Sequence, residues 1–357
     1  MASHKITSVE QLHTYLHAAM MLEHGTIPPY LTALYSLHPG SNPDAFHVIR
    51  VVAVEEMLHL TLAANVMNAV GGSPDLTTPD FVPDYPTYLP DGETDFEVSR
   101  QGFSRECVET FLNIERPGEA PHEDARLISR KNDRGQHLCG SHVESEMRFW
   151  SIGEFYEEVR RGIDYLHEEM GDALFSGDPA RQAGPEYYYS GGGTLIAVTD
   201  LKSARAAMRL IAEQGEGLRG AIYDAEHELS HYYRFEQLLR GRYYQRGDEH
   251  GKPTGPTLDV DWDAVYPVKQ DATIDDFPEG SELRAAGVQF NQRYAEFLAL
   301  LTRAYGGSPE LLIDAVVEMF RLRDRIGQLM RVPIPGADGV NGAPTFEVSR
   351  VPGKVES

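Results

Sequence analysis

The chain has 357 residues, 41% of them hydrophobic and 10% aromatic, and its 32 basic against 55 acidic side chains leave a net charge of −23. This is enough apolar material for a large core and too much for a disordered chain, while the acid excess argues against nucleic acid or an anionic membrane as a partner. No apolar run reaches the ~18–20 residues of a spanning helix, and MASHKITSVEQL lacks the basic head and apolar core of a secretory signal; the two cysteines, Cys107 and Cys139, fit neither a disulfide framework nor a zinc ribbon, so a reducing, cytoplasmic setting is expected.

In chain order, residues 8–24 place Val9, Leu12, Leu16, Ala19 and Met20 on one helical face behind Ser8, whose partner three residues on, Gln11, resembles a capping box. Pro28 and Pro29 predict a kink or break before the helix resumes. After the turn from Gly40 to Pro43, residues 45–70 repeat the pattern with Ile49, Val52, Leu60, Ala63, Met67 and Val70, and Gly71 and Gly72 end it. So short a turn makes the two helices antiparallel neighbours. Residues 73–100 read as an ordered loop, 102–116 as a short helix capped by Ser104, 117–147 as polar chain without a period, and 151–170 as a helix with Ile152, Phe155, Val159, Ile163 and Leu166 inward. TLIAV at 194–198 reads as strand-like, Asp200 as the N-cap of a helix to about Gln214, and 224–239 as a further helix. After a Gly-, Pro- and Asp-rich stretch to about 278, two more amphipathic helices are expected near 281–304 and 309–330, then an irregular tail with room for one terminal strand. The organisation expected is a bundle over 1–240 with an insertion at about 73–150, and a linker, two-helix extension and tail over 241–357 packed on it.

The informative feature is where certain acids fall. Glu23 lands in the middle of the stripe of Leu12, Leu16, Ala19 and Met20, and Glu56 falls between Ile49, Val52, Leu60 and Ala63 with His59 three residues on. Glu55 projects outward toward solvent. On the predicted helix 224–239, Glu228 shares a stripe with Ala225, Tyr232, Phe235 and Leu239, and His231 follows it by three. A lone buried carboxylate is costly unless it is paired or bound to metal, and no inward Lys or Arg is on offer. Three residues advance a helix by ~300°, so both members of a Glu-x-x-His pair reach one ion from the same face. Two such pairs plus a lone Glu from each of two other helices make up the ferritin-like dimetal bundle. The fourth contributor is Glu154 in IGEFYEE, with Glu213 as an additional or replacement ligand and Glu158 and Glu216 ranked below.

A competing motif overlaps the second pair. Residues 227–231 read His-Glu-Leu-Ser-His, the zinc-hydrolase pattern with Glu228 as base, but that reading leaves Glu23, Glu56 and His59 without a role, and His227 projects about 100° from the stripe. His137, Cys139 and His142 read as polar loop residues, Gly191–Gly193 as a tight turn rather than an anion cradle, and Tyr156, Tyr187–Tyr189, Tyr232, Tyr233 and Phe235 as core residues or a substrate-pocket lining.

LEHGTIPPYLTALYS around Glu23, EEMLH at 55–59, IGEFY at 152–156, EQGEG at 213–217, ELSHYYRF at 228–235 and FNQRYAEFLALL at 290–301 together resemble the ferritin-like family of iminophenylpyruvate dimer synthases. Those enzymes, or enzyme domains, couple two oxidised tryptophan-derived imines on the way to bisindole pigments and alkaloids. The expectation is a mainly α protein, a ferritin-like four-helix bundle with a long loop insertion and a C-terminal helical extension. Glu23, Glu56, His59, Glu154, Glu213, Glu228 and His231 would hold two iron ions, or manganese, since mixed carboxylate and imidazole ligation suits those metals. The function expected is a dioxygen-dependent oxidase of a small amine- or imine-bearing, aromatic metabolite. A metal-handling or peroxide-disposing bundle and a zinc hydrolase are the alternatives. The partners expected are that substrate and dioxygen, without nucleic acid or membrane and with self-association left open.

Overall fold

The computed structural model describes residues 6–91, 95–117, 149, 151–189, 192–216, 221–224 and 226–350, without the side chains of Glu216 and Arg350. His137, Cys139 and His142 lie outside the described residues. The described chain forms eight α-helices, and its only β pairings are isolated bridges. The helices are α1 (Val9–Ser36), α2 (Pro43–Ala69), α3 (Arg105–Ile114), α4 (Ile152–Met170), α5 (Leu201–Glu216), α6 (His231–Arg240), α7 (Glu282–Tyr305) and α8 (Leu311–Leu329). TLIAV is irregular rather than a strand, and no terminal strand forms among the described residues of the tail.

Local chemistry explains most boundaries. Ser8, Ser104 and Ser151 each accept the backbone N–H three residues on, at the starts of α1, α3 and α4. Pro43 opens α2, where its missing N–H costs nothing. The predicted break at Pro28 and Pro29 does not occur, because α1 runs through both prolines for 28 residues. Two prolines deprive the carbonyls of His24 and Gly25 of their helical donors. The Tyr85 hydroxyl supplies a replacement at Gly25 O (2.7 Å), while Thr26 and Thr32 hydroxyls brace the neighbouring carbonyls of Glu23 (2.8 Å) and Pro28 (2.7 Å).

α1 and α2 form a long antiparallel hairpin, and two helix pairs cover its two halves. α4 and α5 pack on the half containing Leu12–Leu22 and Leu58–Val70. α3 and α6 pack on the other half, around Tyr30, Leu34, Ile49 and Val52, with Phe111 and Phe235 at its centre. The hydrophobic interior is therefore split in two, and the segment of α1 and α2 between the halves carries Glu23, Glu56 and His59. α7 and α8 pack on each other and join the first half, where the His24 imidazole meets the Tyr294 hydroxyl at 2.7 Å. The tail returns beneath α7, held by Asn291 Oδ1, which accepts the Thr345 hydroxyl (2.7 Å) and the Glu347 N–H (3.2 Å). Among the described residues no helix is long and apolar enough to cross a membrane.

Burial leaves a pH signature at His24. Its Nδ1 is buried without a hydrogen-bond partner, and desolvation lowers the imidazole to about 3. The unfolded chain takes up that proton near pH 6.5, so stability present above 6.5 is lost as pH falls toward the folded value, by up to ~1.4 kcal/mol per unit. Urea midpoints at pH 7, 6 and 5 are expected to fall more steeply for the wild type than for His24→Gln. Parallel slopes for the two proteins would refute this.

Candidate metal centre

Five buried side chains converge where the two halves of the interior meet: Glu23 (1% exposed), Glu56 (3%), His59 (1%), Glu115 (2%) and His231 (0%). They form two groups that share Glu56. In the first, His59 Nδ1 lies 3.4 Å from Glu23 Oε2 and 3.7 Å from Glu56 Oε2. In the second, His231 Nδ1 lies 3.0 Å from Glu56 Oε1 and 3.4 Å from Glu115 Oε2. One carboxylate thus turns one oxygen toward each imidazole, and the two rings stack with centroids 5.5 Å apart.

The outer contacts fix which atoms point inward. His59 Nε2 is 2.9 Å from Gln214 Oε1, and His231 Nε2 is 2.9 Å from Glu55 Oε2. Both partners accept, so each imidazole donates from Nε2 and turns Nδ1, the lone-pair nitrogen of its neutral form, toward the acids. The Tyr156 hydroxyl donates to Glu23 Oε1 and the Tyr30 hydroxyl to Glu115 Oε1, leaving each acid its Oε2 for the centre. Acceptors facing acceptors in a dry interior is the arrangement a cation stabilises, and His231 Nδ1 has no hydrogen-bond partner.

Burial and then Glu56 push the Glu23 carboxyl up to about 8, and the same two causes raise Glu115. Burial would lower both rings, but the hydrogen bonds that His59 donates to Glu23 and Glu56 raise it to about 10, and Glu115 with the other acids raises His231 well above its usual value, so without metal both rings carry protons that balance the acids. Each buried carboxylate costs several kcal/mol without a counter-charge. Among the described residues no Lys or Arg comes within ion-pair distance of Glu23, Glu56 or Glu115. The nearest guanidinium, of Arg234, stands 3.7 Å from Glu55 Oε1 and is held at 2.8 Å by Glu228. In the metal-free chain the ring protons are the only inward positive charge beside these acids among the described residues, and metal ions that displace those protons meet the same carboxylate and imidazole donors, so the set fits a pair of metal ions.

The structure brings together four of the seven residues singled out in the sequence: Glu23, Glu56, His59 and His231. Glu228, Glu154 and Glu213 lie elsewhere. α6 starts at His231 rather than at Asp224, because Asp224 Oδ1 accepts the N–H groups of Glu226 (2.9 Å) and Glu228 (2.8 Å), closing a turn in which His227 has φ +67°. Glu228 and His231 therefore share no helical face; the Glu228 side chain is 49% exposed on Arg234. The same turn removes the helix that a His-Glu-x-x-His zinc site requires. Glu154 sits in the first turn of α4, half-buried, while Tyr156, about 200° around the helix, is the residue that reaches Glu23. Glu213 pairs with Arg209 at 3.1 Å, and its neighbour Gln214 meets His59. Glu55 is 1% exposed rather than solvated. Burial would raise its pKa, but His231 and then Arg234 keep it below the usual carboxylate range.

Glu115 was missed, although a signal existed. Val108 and Phe111 put residue 115 in the next inward slot of their stripe, and an acid occupies it, as at Glu23 and Glu56. Gly192 was read only as part of a turn. Its N–H donates to Glu55 Oε1 at 3.1 Å, and a Cβ there would collide with that oxygen.

Comparisons with known proteins agree with the fold. The chain is 26% identical over 324 residues to a dichlorochromopyrrolate synthase of Lentzea aerocolonigenes, a match covering 84% of this chain but only 29% of that protein. It superposes on the crystal structure of a ferritin-like protein from Caulobacter vibrioides with a TM-score of 0.58 at 23% identity, covering 90% of this chain and 95% of the other, which establishes a common fold. The model of one family, described as ferritin-like, matches residues 16–240. With that family match spanning the helices that supply every residue of the centre, the chain belongs to the ferritin-like family.

Proposed function

We propose that this chain is a dimetal oxidase that uses two iron ions, or manganese, and dioxygen to oxidise a small amine- or imine-bearing, aromatic metabolite. The observation that carries the proposal is the convergence of three carboxylates and two imidazole Nδ1 atoms on one buried point, with no Lys or Arg among the described residues paired to those acids. Distant kinship with a synthase named for dichlorochromopyrrolate supports the substrate class, although this chain spans less than a third of that protein.

Glu23 with His59, and Glu115 with His231, would each hold one ion, and Glu56 would lie between them. When bound, such a pair supplies two-electron exchange with dioxygen. The chain does the rest. Tyr156 and Tyr30 anchor the terminal acids through one oxygen, and Gln214 and Glu55 hold each ring in the tautomer that offers Nδ1. The near-complete burial of all five groups keeps bulk water away and strengthens every electrostatic contact inside.

Elemental analysis of anaerobically purified protein is expected to find about two iron or manganese ions per chain. Oxygen uptake is expected only with an aromatic amine or imine present, and to be lost in His231→Ala. Protein without metal, or peroxide turnover needing no organic substrate, would overturn the oxidase reading.

A further inference from the structure

The two sides of the centre match partner for partner except at one position. Each has a terminal glutamate bound by a tyrosine hydroxyl, an imidazole presenting Nδ1, and one oxygen of Glu56. The group behind the imidazole differs. His59 leans on the neutral amide of Gln214, and His231 leans on the carboxylate of Glu55, both at 2.9 Å. A carboxylate behind a ligating imidazole raises the basicity of the inner nitrogen and places a second negative charge close to the ion; an amide does neither.

Arg234 does not cancel this difference. It approaches Glu55 only at 3.7 Å and at Oε1, the oxygen turned away from the ring, and Glu228 holds it at the closer distance of 2.8 Å. The Gly192 N–H fixes the same Oε1 from the other side, so Oε2 stays directed at His231.

Resting on the dimetal reading above, we propose that the two metal positions are inequivalent. The position made by Glu56, Glu115 and His231 fills first and binds more tightly, with Glu55 as the positioning residue behind His231. The position made by Glu23, Glu56 and His59 takes the second, more exchangeable ion. The chain then has a stable one-metal form, and supply of the second ion governs when the complete pair exists.

The test is an anaerobic titration of the whole chain with cobalt(II), followed by visible absorption and calorimetry. Two steps separated by at least ~10-fold in affinity are expected. Glu55→Gln should weaken the tighter step by ~10–100-fold, the range typical of losing such an outer partner, and leave the weaker step within about twofold. Gln214→Glu should tighten the weaker step and leave the tighter one unchanged, a gain that no merely structural role of residue 214 produces and that tests the idea even if Glu55→Gln folds poorly. His59→Ala should retain the tighter step, and His231→Ala should lose it. Two equal wild-type steps, or a Glu55→Gln loss confined to the weaker step, would overturn the inequivalence while leaving the metal pair standing. Absence of any cobalt binding would instead remove the dimetal reading, and this proposal with it.

Discussion

Glu56→Ala is expected to empty both metal positions together. Glu56 is the one residue common to the two ligand groups, with Oε2 toward His59 and Oε1 toward His231. Its loss leaves each ion with one carboxylate and one imidazole, and removes the shared negative charge that lets two cations sit close. The affinity of both steps should fall by at least ~100-fold, beyond the ~10–100-fold caused by removing an outer partner. Metal content per chain after gel filtration, with far-ultraviolet circular dichroism as the control for folding, makes the check. Fold should survive, because the helices are held by the apolar clusters on either side of Glu56 and the substitution removes no residue from them. A Glu56→Ala protein that still copurifies with two ions would refute the assignment of Glu56, and Glu228→Ala, expected to change metal content little, supplies the contrast.

The second large effect is expected far from the centre, at Arg100. This guanidinium is 3% exposed and donates to the carbonyls of Pro344 (3.2 Å), Thr345 and Ala272 (3.1 Å), while packing over the ring of Tyr85 at 5.0 Å. Its own backbone N–H goes to Asp271 at 2.7 Å. It thereby fastens the tail to the loop before α3. Arg100→Ala orphans three carbonyls at ~1–3 kcal/mol each, softened where water enters the space, so a net loss of about 3–5 kcal/mol is expected. Arg100→Lys keeps the charge but lacks the planar fork that spans several acceptors, and should lose an intermediate amount. Urea denaturation reads both. A change below ~1 kcal/mol for Arg100→Ala would show that apolar contacts and the Asn291 hydrogen bonds hold the tail without Arg100.

How far the sequence disclosed the centre depended on one assumption, that an acid in an apolar stripe marks an inward group. It worked wherever the helix was continuous. Glu23 and Glu56 were visible because α1 and α2 keep their period for several turns on both sides of them. The same rule failed at Glu228 because a turn, not a helix, precedes His231, and stripe arithmetic has no meaning across a residue with positive φ. Asp224 could cap either a helix or a turn, and the bonds across the turn, from Ser230 N–H to Ile222 O and from Asp224 N–H to Glu228 O, decide between them. Glu154, with Glu213 as an additional or replacement ligand, follows from seeking a single fourth acid on either α4 or α5. In the structure those helices send a phenol and an amide, Tyr156 and Gln214, while the third acid comes from the end of α3. The prolines misled for a similar reason. The Tyr85 hydroxyl that replaces a lost donor on α1 lies 60 residues away in sequence.

The division of the interior into two apolar bodies has a consequence for folding cooperativity. α1 and α2 traverse both bodies, while α4 with α5 pack mainly on one and α3 with α6 mainly on the other, bridged by the partly buried Leu31, Tyr35 and Ile152. A seam of polar groups in place of apolar contacts at mid-length weakens the communication by which one melting half drags the other along. Ions seated there would weld the seam, because Glu115 and His231 come from one body and Glu23 and His59 from the segment entering the other. Loading would then change the protein from two loosely coupled melting units into a single one.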